Sequence, residues 1–409
     1  MSKWVVALSA VSMGGGLSAC GDDASPPSSA SSTGSSSGPV TTLTPTEGGT
    51  QPVDTSATTQ VAETGIDGTA TTSSESSSGT VGPGSNSSGE MGSSSSGGDA
   101  APSVQSTTPA DFESGVEPTT DIAIEFSEPM DAATVTTTTA GTLCVGAIQV
   151  SADAFTTCVP MMGEPTTRDD QVFVVQPQLA LSAATTYQVR VLPTATDAGG
   201  TPLAAEFTTG NGFAIRYFDT IVIDGVNDFS VAETFPTSTV GHSGYVAWDD
   251  DYIYLGLDSP DVAAASGEVW WVVYVGGPQG SGEGVTYNTQ SPALPFDARW
   301  HLRWRTDGTF ASALTWSGVA WEDAAFTIGA DDVASTGEFV EMRVSRLDVG
   351  LPAYLDLHMG LLREEALNEA SWGAVPEGSY VDGYDPDYAQ FFQFDLASSL
   401  LPTDVMPSP

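Results

Sequence analysis

The sequence predicts an all-β protein: a disordered N-terminal tether, then two β-sandwiches of which the second is the larger. Three observations carry this. After residue 101, short segments such as Ile122 to Phe126 and Thr186 to Val191 alternate apolar and polar residues between turn residues, with no helical period. Before it, Ser, Thr and Gly dominate, so of 409 residues only about 300 are foldable, enough for two domains. Finally, of nine tryptophans all but Trp4 lie between Trp248 and Trp372, and of eleven tyrosines all but Tyr187 lie between Tyr217 and Tyr388. Recognition is expected in that aromatic half.

Charged residues make up 15% of the chain, against a usual ~25%, and the shortage is in bases. Ten Lys+Arg face 52 Asp+Glu, for a net charge of -42, and the sole lysine is Lys3. Nucleic acid and anionic lipid both need basic surface, so neither is an expected partner. The charge suits solubility outside the cell, or a calcium-rich or acid-shielding role.

Lys3 precedes a hydrophobic run from Trp4 to Leu17, broken by Gly14 to Gly16. The run is too short and too glycine-rich to span a bilayer, and it has the form of an export signal over residues 1–19. Its end, Leu17-Ser18-Ala19-Cys20, resembles the lipobox of bacterial lipoproteins. That resemblance implies that Cys20 carries lipid as the first residue of an exported, membrane-anchored envelope lipoprotein, at the outer membrane or cell surface, touching membrane only through the anchor. Residues 20–101 lack basic and aromatic residues and cannot bury enough apolar area to offset their ordering entropy. As a flexible coil such a tether reaches roughly 50 Å.

In residues 102–215 the strand-like segments are Ile122 to Phe126, Val172 to Gln176, Thr186 to Val191 and Leu203 to Thr208, a spacing that argues for a sandwich. Thr108-Pro109-Ala110-Asp111, Ile122 to Asp131, Leu181 to Tyr187, Thr196 to Gly200 and Phe207-Thr208-Thr209 together resemble the bacterial Ig-like domain of S-layer and other surface proteins. The resemblance implies a spacer or presentation module. Cys144 and Cys158 depart from that pattern. They bracket Ser151 symmetrically, so a hairpin turning there sets them opposite each other, as a cross-strand bridge requires. Such a loop contributes about 3 kcal/mol in the chain-entropy model; free thiols or half a metal site are the alternatives.

Residues 216–397 are organised around Tyr245 to Asp258, two strand-like segments flanking an aspartate turn. Ile253, Leu255 and Leu257 alternate with Tyr252, Tyr254 and Gly256, one aliphatic face and one aromatic face. Trp270 to Val275 is apolar on both faces and reads as a central strand. Glu338 to Arg346 reads as a strand with one wet face, and Tyr354 to Leu361 and Phe391 to Leu396 as two more. Leu362 to Ala370 reads as a short helix, Trp372 to Asp387 as a loop at an exposed end, and residues 398–409 as a disordered tail. Ile223-Asp224-Gly225 with Asp228, Trp248-Asp249 with Tyr252 to Leu255, Asp258 with Asp261, Glu341 to Val344 with Leu347, Trp372, and Phe391 to Leu396 resemble the carbohydrate-binding modules of family 9 and related DOMON-like sandwiches. The resemblance implies a sugar ligand clamped by tryptophans, without saying which tryptophans here.

Around Asp307-Gly308, which suits a two-residue type I′ turn, one hairpin register pairs Arg305 with Phe310, Arg303 with Ser312, His301 with Leu314 and Arg299 with Trp316. The opposite face pairs Trp304 with Ala311, Leu302 with Ala313 and Trp300 with Thr315, large against small, as in a core. The face made by Arg299, His301, Arg303, Arg305, Phe310 and Trp316 reads either as arginines lying over aromatic surface or as a ligand platform. Two oxygen-rich loops, Asp224, Asn227 and Asp228 in one and Asp382, Asp385 and Asp387 in the other, are candidate calcium sites or solvated turns. Enzyme chemistry is not expected: the only histidines are His242, His301 and His358, and Gly241-His242-Ser243-Gly244 is no nucleophile elbow. The expected function is glycan binding on an Ig-like spacer, with a structural or adhesive envelope protein that binds protein partners as the alternative. A glycan hydrolase, the third class, needs paired carboxylates in a cleft.

Overall fold

The computed structural model describes residues 100–409. Cys20, the export signal and all but the last two residues of the expected tether lie outside the described residues. The described residues belong to one compact unit, whose regular structure is almost entirely strand, and none of its described helices is long and apolar enough to cross a membrane.

The first sandwich has strands β1 (Val104–Thr108), β2 (Ile122–Phe126), β3 (Ile148–Ser151), β4 (Thr166–Thr167), β5 (Val172–Val175), β6 (Thr186–Val191), β7 (Phe207–Thr208) and β8 (Phe213–Ala214). One sheet runs β1-β2-β5-β4; the other runs β3-β6-β7, with β8 also on β6. Alternation puts Ile122, Ile124 and Phe126 of β2 and Val189 and Val191 of β6 fully inside, facing each other across the two sheets.

Cys144 and Cys158 are bonded, with S–S 2.02 Å and Cα atoms 5.0 Å apart. The chain does not turn symmetrically about Ser151. Val159 N donates to Val150 O at 2.8 Å, and Ala154 and Phe155 take the left-handed backbone at the bend. The hairpin therefore centres between Ala154 and Phe155 rather than at Ser151, because the Ser151 hydroxyl accepts from the amides of Asp153 and Phe155 and ends the strand. The bridge thus ties the irregular segments on either side of the hairpin.

The second sandwich comprises β9 (Thr234–Pro236), β10 (Ser243–Trp248), β11 (Tyr252–Asp258), β12 (Val269–Glu283), β13 (Ala293–Arg305), β14 (Ala311–Trp316), β15 (Trp321–Asp323), β16 (Val333–Thr336), β17 (Phe339–Ser345), β18 (Tyr354–Arg363), β19 (Ala370–Val375) and β20 (Phe392–Asp395). A five-stranded sheet, β16-β17-β11-β10-β9, faces a seven-stranded one, β15-β14-β13-β12-β18-β19, with β20 also on β18. The hairpin β10–β11 sits inside the five-stranded sheet, and Ile253, Leu255 and Leu257 enter the core together with Trp271, Val273 and Val275 of β12. β12 is central: β13 flanks it on one side and β18 on the other. Its other face, Trp270, Val272 and Tyr274, belongs to a second apolar cluster.

Four expectations are corrected here. The polar side of β17 is not wet, because Glu341 is fully buried and accepts from the amides of Asp224 and Gly225 at 2.6 and 2.5 Å, while the Arg343 guanidinium lies 4.6 Å over the Tyr252 ring. Leu362 to Ala370 is not a helix: Leu362 and Arg363 continue β18 opposite Trp270 and Val269, since Leu361 and Leu362 serve apolar clusters on opposite sides of the sheet. The short helix lies elsewhere, α1 (Pro260–Ala264), where Ser259 caps Asp261 N and Pro260 opens the first turn. Trp372 to Asp387 is an exposed loop only in part: Val381 and Tyr384 are exposed, but its first residues form β19 and Tyr380 is buried in the second cluster. Residues 398–409 are ordered, because Ser408 exchanges two backbone hydrogen bonds with Phe391 and Leu401 and Val405 pack on the main core.

Candidate functional site

The register of the β13–β14 hairpin is the expected one, Trp300 with Thr315, Leu302 with Ala313 and Trp304 with Ala311, and Trp304 is in the core. The turn differs. A type I′ turn needs positive φ at both central residues, whereas of Asp307 and Gly308 only Gly308 has it. Asp307 Oδ1 instead accepts from Arg305 Nε at 2.9 Å and Thr309 N at 3.0 Å, which holds a wider loop.

The expected ligand face is not an open platform. His301 is fully buried, its Nε2 2.8 Å from the Tyr287 hydroxyl and its ring 4.4 Å from that of Tyr274. Burial and the nearby Arg303 charge push its pKa down to about 3. Residues 284–296, which include Tyr287, close over the middle of the face. Arg303 donates to Ser312 Oγ at 2.8 Å and lies between Trp270 and Phe310; Arg305 pairs with Asp307, and Arg299 donates to the Trp316 carbonyl. Trp316 packs edge-on to Trp321. Of the six residues only Phe310, 41% exposed, presents open apolar surface. The arginines here cover aromatic rings and satisfy the hairpin.

The two aspartate loops do not gather into ion sites. Asp224 accepts from Val226 N, Asn227 from Phe229 N and Asp228 from Val222 N, three local turns using one oxygen each. Asp382 accepts from Ser238 and Thr239 hydroxyls, Asp385 from Ser291 N and Asp387 from Ala293 N, so this loop staples three neighbours. Among the described residues no group of three or more His, Cys, Asp or Glu is placed to hold a metal ion.

An open groove of about 670 Å³ lies at the far end of β12, lined by Gly276, Gly277, Trp300, Tyr354, Asp356 and Gln393 among others. That volume falls in the range of small-molecule sites, roughly 300–1,000 Å³. It opens because the β12–β13 register shifts just after Val275 and the two residues there lack side chains. A Cβ on Gly276 would fall 2.5 Å from Asp356 Cβ, and one on Gly277 would run into the Trp300 ring. Tyr354 and Asp356, two apart in β18, share the outward side of the strand, while Leu355 and Leu357 enter the core. Gln393 of β20 stands opposite Asp356 and donates to its carboxylate at 2.8 Å. Tyr354 is 58% exposed and Trp300 half-buried, and burial pushes the Asp356 carboxyl up against the opposing Gln393 hydrogen bond. Two rings, two carboxylates, Asp356 and the exposed Asp297, and an amide thus line one hollow without a cation.

Sequence reasoning passed over this groove. Its signals were Gly276-Gly277-Pro278 directly after an apolar run and Tyr354 two residues before Asp356; neither is informative until β18 and β20 are paired.

Residues 98–212 match the family model described as the bacterial Ig-like domain, a match that ends before the second sandwich. No curated protein matches the chain. Among solved structures, the N-terminal part of the bacterial S-layer protein SbsC is similar at 11% identity and a TM-score of 0.22, over 67% of this chain and 44% of that one. Domains 1–6 of surface layer protein SbsC give 11% and 0.22, over 64% and 39%. The chain spans less than half the length of either, and similarity of that size carries no argument about the second sandwich. What the chain contains, at residues 98–212, is a bacterial Ig-like domain.

Proposed function

We propose that this chain is a cell-surface binding protein in which an Ig-like module, tethered from a lipid on Cys20, presents the second sandwich, and that the groove at Trp300 and Tyr354 takes a glycan. The observation that supports this reading is the pairing of the exposed Tyr354 ring with the hydrogen-bonded Asp356 and Gln393 in one hollow. Sugars present apolar C–H faces that lie on aromatic rings, and hydroxyls that need fixed donors and acceptors. Asp356 accepts, and Gln393 both donates and accepts. Calorimetry of the full chain with β-1,4-linked glucose, xylose and mannose oligomers should detect binding to at least one series. Tyr354→Ala should weaken it by about 1–3 kcal/mol, as for loss of an anchoring aromatic, and Phe310→Ala should leave it unchanged. Loss with Phe310→Ala alone would move the site to the β13–β14 face. No binding to any series would favour the adhesive reading, a protein partner on the second sandwich.

A further inference from the structure

The groove does not end at Tyr354. A second hollow, about 280 Å³, adjoins it and shares Pro352 and Ala353 as lining; its other walls include Glu117 of the Ig-like module, Arg216, Asp250 and Arg346. Pro352-Ala353 is therefore a saddle common to the aromatic groove and the hollow at the junction of the two sandwiches. Resting on the glycan reading above, we infer that the ligand is a polysaccharide bound along its length, seated on Tyr354 and continuing over the saddle to the Ig-like module.

A site built from two modules needs their walls fixed, and this junction has no linker. Arg216 follows directly on Ile215, which bridges to Val116. With its side chain 5% exposed, Arg216 binds Glu117 at 2.9 Å on one module and Asp250, in the β10–β11 turn of the other, at 2.7 Å. Its amide donates to Val116 O at 3.0 Å, and the amide of Tyr217 donates to Ser398 O at 2.7 Å. The chains approach so closely that a Cβ on Gly115 would sit 2.5 Å from the Ala397 carbonyl oxygen. The second hollow also has what hydroxyl groups require. Glu117 and Asp250 keep 66% and 76% of their side chains exposed while holding Arg216, so each offers acceptor surface beyond the ion pair. Arg346, which donates through Nη1 to Asp249 O at 2.8 Å, lines the same hollow. The aromatic ring lies at one end of the cleft and the paired charges at the other, an arrangement suited to several consecutive sugar units.

The test compares a disaccharide, a tetrasaccharide and a hexasaccharide of whichever of the three series binds, by calorimetry on the full chain. Affinity should rise about tenfold or more from disaccharide to hexasaccharide. Ala353→Trp, an exposed position on the saddle, should abolish the length dependence, so that the hexasaccharide binds this variant no more tightly than the disaccharide does. Hydroxyl-radical footprinting should show Tyr354 protected by every length and Leu351, 59% exposed, only by the longer two. Equal affinity at all lengths, or a hexasaccharide indifferent to Ala353→Trp, would overturn the inference and leave the groove as a short glycan site. Binding by no oligomer would overturn both readings together.

Discussion

The outward face of the seven-stranded sheet has two ends that the same strands build differently. At one end Trp270, Val272 and Tyr274 of β12, with His301 of β13, His358 of β18 and the rings of Tyr287, Tyr380 and Tyr388, form a sealed aromatic layer. At the other, β12 changes to Gly276-Gly277, β18 to Asp356 and Tyr354, and the face is open. The covering comes from residues 284–296 and 376–391, which supply five of the layer's rings, Tyr287, Phe296, Tyr380, Tyr388 and Phe391. A sheet face is closed where loops bring rings to it and becomes a binding groove where glycines withdraw them. The largest effect that sharpens this contrast is at Tyr274, fully inside, whose hydroxyl accepts from Val285 N at 2.9 Å. Tyr274→Ala should cost about 3–5 kcal/mol in urea unfolding, as for other large buried rings cut to alanine. Tyr274→Phe should cost about 1–3 kcal/mol, the penalty for leaving the Val285 amide unpaired. A small effect of the alanine variant would mean that this end is no more sealed than the groove.

How much of this was legible in the sequence depended on whether a pattern was local. The β10–β11 hairpin, the inward set Ile253, Leu255 and Leu257, and the 300–316 register follow from period-2 alternation and a turn, both contained in a short window. His301 was misplaced for the opposite reason. Its alternation with Trp300 and Leu302 correctly put it on the face away from the main core, but only the later loop bearing Tyr287 decides that this face is covered. Glu341 misled in the same way: a glutamate in a strand reads as solvated until the loop at Asp224 and Gly225 is seen donating to it. The groove was invisible because its rings and polar groups come from β13, β18 and β20, which are joined only by long-range pairing.

The sealed end also predicts a pH response. His301 and His358, both fully buried, have pKa values pushed down to about 3 by burial, with Arg303 adding to the effect at His301. His358 Nε2 lies 3.0 Å from the Ser379 hydroxyl and Nδ1 makes no hydrogen bond, which fits a neutral ring carrying its proton on Nε2. Unfolded, each histidine takes up a proton below its ordinary value of about 6.5; folded, neither does so until about 3. The unfolded state therefore binds more protons in this window, so the stabilisation is complete above about 6.5 and falls with pH toward 3 by about 1.4 kcal/mol per unit per histidine. Asp219 opposes it. Burial and the neighbouring Glu233 raise its carboxyl to about 6, so it favours the folded state at low pH and loses that contribution as pH rises through 6. Urea midpoints of the wild type and His358→Gln across this range separate the two effects, because the Asp219 contribution cancels in the difference. The wild-type advantage should shrink by about 1.4 kcal/mol per unit on acidification and stay constant above about 6.5. A pH-independent difference would show that His358 is not held neutral.

The smallest effect belongs to the open end. Tyr354 begins β18 opposite Asp395, at the same sheet as Tyr274 and on the same kind of outward position, yet it keeps 58% of its surface exposed. Tyr354→Ala removes no filled volume from the core and strands no buried partner, since Leu355 beside it carries the packing. Its unfolding free energy should therefore lie within about 0.5 kcal/mol of wild type, as for surface substitutions away from caps and cores. Two tyrosines cut to alanine on one sheet should then differ several-fold in cost, a difference that burial alone has to explain. A loss above about 2 kcal/mol at Tyr354 would mean that the ring is packed against Pro352 or Trp300 as part of the fold, and the groove would lose the exposed surface on which its ligand reading depends.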